Sequence, residues 1–445
     1  MTQSFHQQTQ GRETKDTQRQ GLLVCPYHRS LKTGPDRLRV RNSGFAPFRL
    51  LMAFVLLAVV SPAHAQEVED TIRIKTRVVF LDALVKDKKT NAPVANLSTE
   101  NFEVLDEGKP RSISYFTREG QARKPLAMVL ILDVRDNGAG RFLKRAEIIK
   151  AMESELAKLP PGDEVAIMAM DIGEDERRFW VTEFTNDRAR IASALAQVQA
   201  MCERKDEAPP TATNTEASQS KEVVETETIK GRKGGVVTRT TMKDGTVNVK
   251  RVNKDGDVTI ELGDIYDMAA AVRDATKKAE QLRPNSQASI VWISDGIAPI
   301  FFEDRDATEQ ILIRNNVIFN SLTVELRTLF KFLLPVGKPV AGWLGLSLYG
   351  SAKQLAQRSG GEAVKVGRVK DYSAGLSRII GNLTARYSLG FALAENETDD
   401  GRLHSLQVRV QAKDEKGKQR KLLVSSRQGY YMSSAMPKET AAKTQ

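Results

Sequence analysis

The chain has 445 residues and a formal net charge of +11, but residues 1–65 hold 9 Lys and Arg against 3 Asp and Glu, so residues 66–445 carry only +5. With aromatics at 6%, that charge gives no basis for nucleic-acid binding. Of the four histidines and two cysteines, only His404 and Cys202 lie beyond residue 65; a zinc site of three or four N/S ligands and an intramolecular disulfide are therefore excluded from a monomeric 66–445.

Residues 1–65 read as a leader. Arg49 precedes an apolar stretch from Leu50 to Val60, and Ala63 and Ala65 are small residues at the −3 and −1 positions before Gln66. That is the pattern of a cleaved secretory signal, which places the mature protein in the periplasm or outside the cell. The stretch is too short to span a bilayer, and no transmembrane helix is expected after it. A signal normally starts near its charged region, so the polar residues 1–48 imply initiation near Val40.

Residues 66–118 alternate apolar and polar through Ile72, Ile74, Val78 and Phe80, then Leu84, Val85 and Phe102 to Leu105, with charged turns at 87–91 and 106–109. Short strands at this spacing predict part of a β-sandwich. From 119 to 384 the pattern becomes strand and helix in alternation. The predicted elements are strand 126–133, helix 141–158, strands 164–170 and 178–184, helix 187–200, helix 265–282, strand 288–294, helix 307–315, strand 317–324, helix 351–359, strand 362–367 and helix 371–384. That order predicts an α/β fold with a doubly wound, mostly parallel sheet. Cys202 at the end of one helix reads either as a buried thiol or as half of an intermolecular bridge.

An insertion at 203–260 interrupts the alternation. Glu203 to Arg232 is rich in Thr, Glu, Lys and Ser and is expected to stay solvated and mobile. Residues 236–260 carry two Lys-Asp-Gly turns, at 243–245 and 254–256, and predict a projecting β-ribbon, either a binding device or a tolerated insertion. Leu329 to Tyr349 is unusually apolar; exposed, it would offer a patch to a partner, the membrane surface or the envelope, and packed, it would cover the sheet edge. Strands return over 385–432 and could complete the sandwich begun by 66–118, and 433–445 read as a disordered tail.

Two apolar runs end on aspartates in glycine-containing loops: Leu126 to Leu132 before Asp133, and Ala288 to Ile293 before Ser294, Asp295 and Gly296. Buried parallel strands deliver such residues to the crevice beyond their carboxyl ends, where ligands bind. These strands, with the flanking segments Val85 to Lys89, Asn96 to Phe102, Val104 to Pro110, Tyr387 to Phe391 and Gln428 to Tyr431, resemble the von Willebrand factor A (VWA) fold as found in secreted VWA-related proteins of acidobacterial type.

The resemblance implies a protein-recognition module with a metal-ion-dependent adhesion site, in which an Asp-x-Ser-x-Ser loop, a Thr and a further Asp hold a divalent cation that takes a partner's carboxylate. Hard oxygen donors on three loops suit Mg²⁺. Asp133 and Asp295 match that pattern; Arg135 and Asn137 replace the serines, and Gly263 stands at the threonine position. Three outcomes stay open: a remodelled site in which Asp136, Asn137 or Asp264 supplies oxygens to Mg²⁺ or Ca²⁺; an Arg135 guanidinium standing between Asp133 and Asp295 as a fixed cation; or a site with no ligand role.

The loop after Asp133 also invites comparison with a dinucleotide fingerprint, but Leu143 stands where its third glycine belongs, and no Walker loop or nucleophile elbow is present. Acid–base catalysis by Asp133 and Asp295 finds no tuned acid or substrate pocket in the sequence, so the expectation is a non-enzyme. The expected role is binding of a protein partner through Asp133, Arg135, Asp136, Asn137, Asp264 and Asp295, and the alternative is a structural envelope scaffold whose site is inert.

Overall fold

The computed structural model describes residues 77–118, 123–135, 139–170, 178–207, 223–231, 234–242, 247–252, 258–262, 268–324, 341–342, 345–414 and 416–432. The leader, the tail, both Lys-Asp-Gly turns and most of 329–349 lie outside these residues.

The chain is a mixed α/β protein built around a six-stranded sheet. Strands β5 (Leu126–Asp133), β6 (Glu164–Met170), β12 (Gln287–Ser294), β14 (Ile318–Val324) and β16 (Ala363–Val366) run parallel, and β7 (Arg178–Thr185) closes one edge antiparallel, in the order β16-β14-β12-β5-β6-β7. Every residue of β5 is buried. Its even-numbered residues from Leu126 to Leu132 pack on one face with α2 (Ala146–Ala157), α3 (Arg188–Glu207) and α7 (Val369–Thr384). Ala127, Val129 and Ile131 pack on the other face with α4 (Met268–Leu282), α5 (Phe302–Arg314) and α6 (Ser351–Ser359). Burial on both faces is why the sequence shows a continuous apolar run there instead of an alternation.

A sandwich is formed by two four-stranded sheets that mix strands from both ends of the described chain. One sheet has the order β19 (Leu422–Ser425), β1 (Val78–Asp87), β17 (Tyr387–Ala392), β4 (Tyr115–Thr117); the other has β20 (Gly429–Tyr430), β18 (His404–Val410), β2 (Phe102–Asp106), β3 (Lys109–Arg111). Strand β1 lies between two strands more than 300 residues away, with Leu81 opposite Leu389 and Val85 opposite Val424. Two buried arginines tie the sandwich to the helices: Arg427 Nη1 donates to Ile313 O at the end of α5 (3.0 Å) and Arg386 Nη2 to Gly360 O just past α6 (2.7 Å). A cation at a helix C-terminus meets the negative end of the helix dipole.

Several elements differ from the sequence expectation. The predicted helix 141–158 is two helices, α1 (Gly140–Leu143) and α2, separated by an extended Arg145. The stretch expected to be solvated from Glu203 continues α3 to Glu207, with Cys202 fully buried inside the helix, and Val223–Lys230 forms strand β8. The expected projecting ribbon is a four-stranded antiparallel sheet of β8, β9 (Val236–Met242), β10 (Val247–Val252) and β11 (Val258–Leu262). That sheet does not project. It packs Ile229, Val237 and Val249 against Phe301, Ala341 and Leu346. Of the apolar stretch 329–349, Ala341 and Leu346 are therefore core, and Leu346–Tyr349 forms strand β15, paired with β13 (Ile297–Phe301).

Candidate functional site

Strands β5 and β12 are neighbours, with Leu132 opposite Ile293. The chain leaves β5 toward β6 on one side and β12 toward β14 on the other. The crevice beyond their carboxyl ends is thus the topological switch point of the sheet, the usual position of a ligand site in an open α/β fold. Asp133, Ser294 and Asp295 stand there, 0%, 0% and 4% exposed.

Arg135 closes back onto these carboxylates. Its Nε donates to Asp133 Oδ1 at 2.7 Å and its Nη2 to Asp133 Oδ2 at 2.6 Å, a bidentate pair, and the same Nη2 lies 3.3 Å from Asp295 Oδ1. The backbone N–H of Arg135 adds a 3.2 Å bond to Asp133 Oδ1. Ser294 Oγ donates to Asp133 Oδ2 at 2.6 Å and lies 3.3 Å from Asp295 Oδ1. Bidentate arginine–carboxylate pairs are among the strongest hydrogen-bonded contacts, and here the pair is largely removed from water.

Gly140 packs against the backbone of Val134 and Arg135. Its N–H donates to Arg135 O at 3.0 Å, and a Cβ at this position would lie 2.4 Å from Val134 O and 2.6 Å from Arg135 O. Those two carbonyls leave no room for a side chain at position 140.

Beside the site, the guanidiniums of Arg141 and Arg145 lie 4.8 and 5.6 Å from the Phe142 ring centroid, and Phe142 stands 5.8 Å from the Tyr372 ring. Burial raises the Tyr372 hydroxyl above its ordinary pKa, with Arg141 and Arg145 opposing the shift and Asp133 adding to it.

Of the sequence-predicted site residues, Asp133, Arg135 and Asp295 are brought together. Asp136, Asn137 and Asp264, as well as Gly263, lie outside the described residues. Ser294 was not singled out, although its place one residue past Ile293 in the parallel register sets it beside Asp133. Among the described residues, the donor set does not fit a divalent cation: both oxygens of Asp133 already accept from Arg135, one also from Ser294, and a guanidinium spans the two carboxylates that a metal would bridge. No group of three or more His, Cys, Asp or Glu among the described residues could hold a metal ion, and no helix among them is long and apolar enough to cross a membrane.

No protein-family profile matches the chain, and no curated protein sequence is similar to it. Solved structures similar to it include the SpRpn10 VWA domain, at 10% identity and a TM-score of 0.28 over 58% of this chain and 94% of that one. The human COPII-coat protein Sec24c matches at 10% identity and a TM-score of 0.30 over 70% of this chain and 44% of that one. The pilus adhesin SpaC from Lactobacillus rhamnosus GG matches at 7% identity and a TM-score of 0.32 over 76% of this chain. The chain spans about half the length of SpaC, 49%, and less than half of Sec24c.

Proposed function

We propose that this chain is a secreted or periplasmic recognition module of VWA type, which binds a protein partner at the carboxyl ends of β5 and β12 without a divalent cation. The observation that carries the reading is the Arg135 guanidinium bound to Asp133 and reaching Asp295. A fixed internal cation offsets one of the two carboxylate charges in the position where an adhesion site would hold its metal. Recognition then depends on the loop surface and on the basic and aromatic rim of Arg141, Phe142 and Arg145.

The enclosure of Asp133 favours a second reading, an envelope scaffold whose site is inert. Calorimetric titration of the chain from Gln66 with Mg²⁺, Mn²⁺ and Ca²⁺ tests the first reading. Wild type is expected to show no saturable heat, whereas Arg135→Ser, which restores the hydroxyl of an adhesion loop, gains binding that Asp133→Ala removes. Saturable binding by wild type, lost in Asp133→Ala, would overturn the metal-free assignment. Binding by neither wild type nor Arg135→Ser would favour the inert scaffold.

A further inference from the structure

Strand β18 has an outer edge that its own sheet leaves open at one place. On its inner side β18 pairs with β2 in the register Val408 opposite Val104, and Gln411 N–H donates to Asn101 O. Antiparallel hydrogen-bonded pairs alternate, so Gln407 and Arg409 bond toward β2 while Leu406, Val408 and Val410 turn their backbone groups to the outer side. Leu406 is satisfied there, its N–H donating to Gln428 O, and Ala412 O accepts from Arg420 N–H. Between these two contacts the chain leaves the edge: Leu422–Ser425 crosses to the other sheet of the sandwich, pairs with β1 as β19, and returns only at Gln428.

The gap so opened is a cleft of about 510 Å³. Its lining includes the amides of Gln357, Gln407 and Gln428, the hydroxyl of Ser426, and the aliphatic groups of Val408 and Val424, and no lining residue is ionisable or aromatic. This volume lies within the range of ligand sites. The two backbone contacts that bound the gap, at Leu406 and Ala412, stand about 20 Å apart along the strand at ~3.3 Å per residue.

We propose that this cleft binds an extended peptide segment of a partner protein that carries no basic side chain, which pairs with the Val408 N–H and C=O as an added strand. An unpaired strand edge is a template for main-chain pairing, and alternate side chains of the added strand would enter the cleft. Guanidiniums stand directly behind two of the lining amides, Arg358 Nη1 donating to Gln428 Oε1 at 3.0 Å and Arg409 Nη2 to Gln407 Oε1 at 3.4 Å, which selects against segments with basic side chains, since these would meet like charge. A neutral glycan fits less well, since the lining offers no aromatic platform for a sugar ring.

The test uses the chain from Gln66 and a blocked pentapeptide of alternating valine and threonine at about 1 mM, the concentration suited to a weak site. Hydrogen exchange read by mass spectrometry is expected to slow about tenfold in fragments covering 404–411 and to stay unchanged in those covering 126–135. Ser426→Trp, which fills the cleft, abolishes the slowing; if that variant does not fold, Gln407→Lys, which introduces a charge at the lining, serves in its place. Unchanged exchange at 404–411 overturns the proposal. So does slowing by cellopentaose in place of the peptide, which would make the cleft a glycan site.

Discussion

Arg239 of the inserted sheet and Asp304 in the first turn of α5 form an ion pair with almost no access to water, at 4% and 1% exposure. The pair belongs to a larger clamp. Arg273 on α4 reaches Asp304 at 3.3 Å and Glu227 on β8 at 3.0 Å, and Arg251 on β10 grips Glu303 with bonds of 3.0 and 2.8 Å. Gly231 and Gly235 leave the room that Glu303 needs, since a Cβ at either would come within 2.4 Å of its side chain. The insertion is thus fastened to the helices that follow it in sequence chiefly by buried charge, with a small apolar core beneath.

Removing one member of such a clamp leaves opposite charges buried without compensation. Asp304→Asn is expected to destabilise the protein by about 4 kcal/mol, whereas replacing Arg239 and Asp304 together by Met and Leu is expected to cost about 2 kcal/mol, since Arg273 loses Asp304 but keeps Glu227. Urea unfolding followed by circular dichroism checks both. Equal losses in the single and double variants would mean that the ion pair itself, and not the uncompensated charge, holds the sheet down.

At the candidate site, Arg135→Ser should cost about 3 kcal/mol without metal, because Asp133 keeps its buried position and loses its counter-charge. If the vacated space then takes Mg²⁺ with a dissociation constant of ~1 mM, 10 mM Mg²⁺ restores about 1.4 kcal/mol by mass action. Thermal unfolding of wild type and variant, each with and without Mg²⁺, reads this as a shift confined to the variant. A shift of equal size in wild type would contradict the fixed-cation arrangement.

The sequence makes the central strands readable because burial on both faces leaves an uninterrupted apolar run, as from Leu126 to Leu132. It makes the sandwich strands readable for the opposite reason, a period of two, as in Leu406, Val408 and Val410. Strand β8 hides from both signals. Ile229 is its one buried apolar side chain, and its Glu227 is matched by Arg273, 46 residues along the chain, which no local reading of hydropathy detects. The break between α1 and α2 is likewise silent in the apolar stripe, since it lies in the extended backbone of Arg145. Asp133 and Asp295 were legible as strand-end carboxylates. The hydroxyl of Ser294 became visible only once the register of β12 on β5 was known.

Tyr387 links the strand that re-enters the sandwich to the loop after β1. Its hydroxyl donates to Val94 O at 2.7 Å and accepts from Leu97 N–H at 3.1 Å, both in the buried interior. Tyr387→Phe leaves a buried donor and a buried acceptor unsatisfied and is expected to cost about 2 kcal/mol, with the ring packing against Phe102 and Phe116 retained. Urea unfolding measures the cost, and faster hydrogen exchange at 94–97 than at 126–132 would locate it.

Glu362 gives the joint between the sandwich and the α/β unit a dependence on acid. Burial alone would raise its pKa, but hydrogen bonds from Lys86 and Arg378 and their charges outweigh burial and hold it below its ordinary 4.5. A carboxylate whose folded pKa is depressed contributes stability above its unfolded value, and that contribution is lost as pH falls through the folded value. Glu362→Gln is therefore expected to be less stable than wild type by about 2 kcal/mol at pH 7, less than for a fully buried pair because Arg378 is partly exposed. The difference should shrink as pH is lowered below 4.5 and through the folded value, as wild type also loses the charge. Thermal unfolding of both proteins from pH 7 downward checks the sign: a gap that widens on acidification would show that Glu362 is held protonated in the folded protein, and that Lys86 pairs with another group.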